Sequence, residues 1–70
     1  MKSFNKVTLP ADFAQQLLDN EIELKLADRP PQDVICNLIE LYSKGVEYYE
    51  SIKSYKYLYF KKKMTEIFTN

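Results

Sequence analysis

Val46-Glu47-Tyr48-Tyr49-Glu50-Ser51-Ile52-Lys53-Ser54-Tyr55-Lys56-Tyr57, residues 46–57, is the stretch on which the architecture turns. Upstream of its midpoint, Ile35, Leu38, Ile39, Tyr42, Val46, Tyr49 and Ile52 recur at steps of three and four, the spacing that puts side chains on one face of a helix. A second stripe of Val34, Leu41, Tyr48 and Tyr55 runs beside it at heptad spacing. Downstream, Tyr57, Phe60, Met64, Ile67 and Phe68 fall back into the phase of the first stripe, and Lys53 and Lys56 interrupt the face. No Gly or Pro follows Gly45, so two all-α forms are open. A break near Ser51 to Ser54 gives a small bundle of three helices, over about 10–28, 31–52 and 55–68. Without the break the chain is a hairpin whose second helix is roughly 40 residues long. The three-helix form is favoured, because the long helix leaves more apolar surface than a monomer readily hides.

Working back from there, Asp28-Arg29-Pro30-Pro31 is the clearest boundary in the chain. Proline disfavours helical geometry in the residue before it, and Pro31 suits the first turn of the next helix. Asp33 then lies near that helix's positive end, where a carboxylate is favoured. The first helix is expected from about Pro10 to Asp28, with Thr8 as its cap and residues 1–8 as an extended arm. Its apolar residues form two stripes, Phe13, Leu17, Leu24 and Ala14, Leu18, Ile22, Leu26, which predicts neighbours on two sides. Residues 21–26 alternate with period two, as a half-buried strand would. Helix is preferred there, since a lone strand lacks a pairing partner other than Val7 to Leu9, and Glu21 with Lys25 makes a favourable i,i+4 pair. Gly45, inside the second helix, costs about 1 kcal/mol relative to alanine and marks either close approach of another backbone or a tolerated glycine.

Seventy residues make one small domain near the lower limit of independent folding. Hydrophobic residues at 46% and charged residues at 29% are globular proportions. The net charge of zero conceals a division: residues 1–50 carry five basic and nine acidic side chains, residues 51–70 five lysines and one glutamate. A basic tail folded against an acidic body, its own or a neighbouring copy's, accounts for that pattern; docking on an acidic partner is the alternative.

Candidate chemistry is sparse. There is no His and a single Cys, so no zinc site, Cys-His nucleophile or internal disulfide is available, and no cofactor is implied. Cys36 reads as a small buried hydrophobe in a reducing compartment. The close carboxylate pairs, Glu21 with Glu23 and Glu47 with Glu50, read as polar helix faces, and one glycine cannot make a phosphate loop, so no enzyme is expected. No apolar run reaches the roughly 20 residues of a membrane span, and MKSFNKV lacks a signal peptide's apolar stretch, so a soluble cytoplasmic or nuclear protein is expected.

The residues expected to meet a partner are therefore Lys53, Lys56, Tyr57, Lys61, Lys62 and Lys63 of the tail, with Tyr42, Val46 and Tyr49 of the second helix. Interleaved lysines and aromatics are also what a single-stranded nucleic-acid platform uses, but the tail has no arginine, and Tyr57, Phe60 and Met64 share a core-like phase. A protein partner, acidic or helical, or a second copy of the chain, is preferred to nucleic acid, and a membrane surface is not expected.

Leu9-Pro10-x-x-Phe13, Leu17-Leu18, Ile22, Pro30-Pro31-x-Asp33-Val34-Ile35 and Glu40-x-Tyr42 resemble the RII-type dimerisation and docking domain over residues 9 to about 46. That resemblance implies paired helical hairpins holding an amphipathic helix of an anchoring protein. Leu41-Tyr42 stands where the family has a Tyr-Phe pair. Leu41-Tyr42-Ser43-Lys44-Gly45-Val46-Glu47-Tyr48, followed by Lys63-Met64-Thr65-Glu66-Ile67-Phe68, is similar instead to the second and third helices of an MIT domain. This second resemblance implies a three-helix bundle that binds short tails of ESCRT-type proteins. Either way the implied activity is non-catalytic, an adaptor or regulatory module binding through an apolar groove between helices. A small nucleic-acid-binding regulator is the alternative.

Overall fold

The computed structural model describes residues 8–29 and 31–69. Three α-helices follow one another, α1 (Phe13–Leu26), α2 (Gln32–Ser51) and α3 (Lys56–Thr69), and no strand occurs among the described residues. The bent, three-helix form is therefore the one adopted, and residues 21–26 are helical. The arm expected over residues 1–8 lies, apart from Thr8, outside the described residues.

Helix α1 starts three residues later than the Pro10 start read from the sequence. Pro10 instead accepts the Phe13 N–H at 3.0 Å in a turn, and Asp12 takes the capping position without a side-chain cap. Pro31 flanks α2 in extended geometry, and Asp33 occupies its first turn.

The corner between α2 and α3 is a Schellman-type stop. Ser54 N–H donates to Tyr49 C=O at 2.8 Å and Lys53 N–H to Glu50 C=O at 3.1 Å. Lys53 is left in left-handed geometry at φ 59, a position usually filled by glycine. Ser54 then starts α3, its hydroxyl accepting the Lys56 N–H at 3.3 Å. Ile52 and Tyr55, assigned by phase to the apolar stripes, are turned out to solvent by this corner.

Both α1 and α3 pack against α2. Pairings of Phe60 with Tyr49 and Gly45, and of Ser43 with Met64, run in opposite senses along the two chains, so α3 lies antiparallel to α2. The buried core is Phe13, Val34, Leu38, Leu41, Tyr42 and Phe60, with Leu17, Leu24, Val46, Tyr49, Met64 and Ile67 around it. Phe60 joins the three helices: it meets Phe13 edge-on at 6.0 Å, lies parallel to Tyr49 at 5.6 Å, and touches Tyr42 at 6.2 Å. Its ring also fills the space beside Gly45, where a Cβ would stand 2.8 Å from Phe60 Cγ. The close approach at Gly45 is real, but it is made by an aromatic ring rather than by another backbone.

Three other sequence expectations are corrected. In α2 the buried line is Val34, Leu38, Leu41, Tyr42 and Gly45, with Ile35 and Ile39 only half-buried, because the two stripes merge at the seam where both neighbours dock. Cys36 is exposed, lying two residues and about 200° of helical rotation from Val34. Finally, among the described residues the apolar side chains of α1 that pack on the core are Phe13, Leu17 and Leu24. Its other stripe is open, with Leu18 51%, Ile22 47% and Leu26 79% exposed, because α3 docks on α2 instead of across the outer side of α1.

Candidate interaction surfaces

Seating Phe60 on a residue without a side chain lets α3 approach α2 closely at that level. Grooves remain between the helices away from that contact. One runs between α2 and α3, with a volume of about 470 Å³ and Ser43, Val46, Glu47, Lys61, Met64, Thr65 and Phe68 along it. Ser43 Oγ donates weakly to Met64 Sδ at 3.8 Å across its base. Val46 and Met64 are half-buried, while Phe68, one turn beyond Met64, is 66% exposed. Lys61 and Glu47 put one charge of each sign on opposite helices.

Phe68 corrects the sequence reading, which placed it in the core stripe. Two adjacent apolar residues stand about 100° apart on a helix, and the structure turns Ile67 inward and Phe68 outward. No local signal separates the two choices. Ser43 and Glu47 were likewise not legible as groove residues, since they become neighbours of α3 only through the corner at Lys53.

The second groove, of about 290 Å³, separates α1 from α3. Leu18, Ile22 and Leu24 line one wall and Ile67 and Lys63 the other, with Tyr42 also lining it. Tyr42 donates its hydroxyl proton to Glu21 Oε2 at 2.7 Å, tying α2 to α1. Burial, then the hydrogen bond to the Glu21 carboxylate, holds this phenol well above the ordinary tyrosine range.

The partner residues read from the sequence are thus dispersed. Val46 and Lys61 meet in the α2–α3 groove, and Lys63 and Tyr42 border the other. Tyr42 belongs to the core, and Tyr49 is half-buried against Phe60. Lys53 sits at the corner and Lys62 is exposed on the outer side of α3. Lys56 lies 5.6 Å from the Tyr49 ring centre, Lys61 5.4 Å from that of Tyr57, and Lys63 5.8 Å from that of Tyr59. Each of these cation–π contacts covers one face of its ring.

Among the described residues no three Cys, Asp or Glu side chains gather as metal ligands, and no helix is long and apolar enough to cross a membrane. No protein-family model matches the chain, and comparison with curated proteins and with solved structures finds nothing similar.

Proposed function

We infer that this chain is a non-catalytic protein-interaction module, adaptor or regulatory in kind, that takes an amphipathic helix or short segment of a partner protein into the α2–α3 groove. The observation that carries this reading is the open row of Val46, Met64 and Phe68, since an aromatic side chain 66% exposed beside two half-buried apolar neighbours is an anchor point awaiting cover. Helix-in-groove binding uses such a row for affinity, and flanking charges, here Lys61 and Glu47, for orientation. The segments resembling an MIT domain contribute to both walls of the groove, which adds support.

The test is selection of binders from a library of amphipathic peptides, followed by amide and methyl shift mapping on the folded chain. Selected peptides are expected to perturb Val46, Met64 and Phe68, and to lose about tenfold or more in affinity against Phe68→Asp. Binders that map to the α1–α3 side and tolerate Phe68→Asp would remove the proposal.

A further inference from the structure

Two exposed apolar faces, the first sharing Leu18 and Ile22 with the α1–α3 groove, carry opposite net charge. The first is the outer face of α1, where Leu18, Ile22 and Leu26 recur every four residues and are each about half or more exposed. Along one edge of that stripe run the exposed carboxylates Asp12, Asp19 and Glu23, at steps of seven and four, and the exposed Lys25 lies on the other edge. The second is the outer face at the start of α3, where Tyr55 is 84% exposed and Leu58 and Tyr59 are half-exposed. Lys53, Lys56 and Lys62 surround these three, and no acidic residue occurs between Ile52 and Thr65.

We propose that these faces recognise each other between copies: the Leu18–Ile22–Leu26 face of one chain docks on the Tyr55–Leu58–Tyr59 face of a second copy. Three observations select a second copy as the occupant. Each face has the apolar stripe the other needs to bury. The carboxylate edge of one matches the lysine edge of the other. The chain's zero net charge, divided between an acidic body and a basic tail, makes like molecules complementary end to side while leaving no net repulsion. Each copy offers both faces, so a two-fold, isologous dimer closes when both contacts form reciprocally.

This inference does not depend on the α2–α3 groove, because Asp19, Glu23, Lys56 and Lys62 do not line it. The experiment is sedimentation equilibrium on the full chain and on two charge-reversal variants, Asp19→Lys with Glu23→Lys and Lys56→Glu with Lys62→Glu. Wild type is expected to self-associate, about tenfold more weakly in 0.5 M than in 0.05 M salt. Each variant alone is expected to be monomeric, with helical circular dichroism unchanged because all four positions are exposed. An equimolar mixture of the two is expected to associate again, since both contacts then pair opposite charges. A wild type that stays monomeric at low salt, variants that associate as wild type does, or a mixture that stays monomeric would each overturn the proposal.

Discussion

At the scale of single residues, Gly45 and Phe60 are one feature. An alanine at position 45 gains about 1 kcal/mol of helix propensity, but its Cβ would meet Phe60 Cγ at 2.8 Å. Cγ is the root of the ring, so it cannot swing aside without moving α3, and overpacking of this kind costs about 1–3 kcal/mol. Gly45→Ala is therefore expected to destabilise the chain by about 1 kcal/mol, read from the denaturant midpoint; a stabilised variant would mean that α3 does not rest on that glycine. Tyr42 gives a second residue-scale expectation. Its phenol titrates higher in the folded chain than the value of about 10 it takes when unfolded, so above that pH the unfolded chain releases the proton first. The stability Tyr42 contributes is complete below about pH 10 and declines as pH rises beyond it. Tyr42→Phe should lose about 1.5 kcal/mol at neutral pH through the missing bond to Glu21, and its stability should fall less steeply above pH 10 than that of wild type.

At the scale of elements, the corner after α2 matters most. Its hydrogen bonds are those of a helix stop that prefers glycine, yet Lys53 holds the left-handed position at φ 59. An L-residue there costs about 1 kcal/mol or more, part of which Gly would return in the unfolded chain as added backbone freedom. Lys53→Gly is expected to raise stability by about 0.5–1 kcal/mol in thermal or denaturant unfolding, with the helices unchanged. No change in midpoint would show that the lysine bears no strain. The same corner explains why the two flanking helices are legible in the sequence while the stop between them is less so: periodicity marks the helices, and lysines interrupting the shared face are a weaker sign than a glycine.

For the whole molecule, the decisive fact is that the basic tail completes the core. Phe60 supplies the ring that Phe13, Tyr42 and Tyr49 surround, and burial of one such aromatic is worth about 3–5 kcal/mol against alanine, comparable to the net stability of a domain this small. A chain ended at Ser51 is accordingly expected not to fold as a stable hairpin, which circular dichroism and amide exchange would register as lost protection throughout α1 and α2. Persistence of native protection in α2 would show that α3 is an appendage.

Periodicity, proline geometry and charge counting are local properties, and they made legible the all-α class, the boundary between the first two helices, a candidate bend near Ser51 to Ser54 and the division of charge, while the long-helix alternative stayed open until the fold was known. Tertiary structure decided which of two apolar stripes on α1 is covered, which of Ile67 and Phe68 turns inward, that Cys36 faces solvent, and that the lysine tail has no single face. Those outcomes follow from where α3 docks. That docking depends on a ring seated on Gly45 and on a lysine in left-handed geometry, neither of which a hydrophobic pattern encodes.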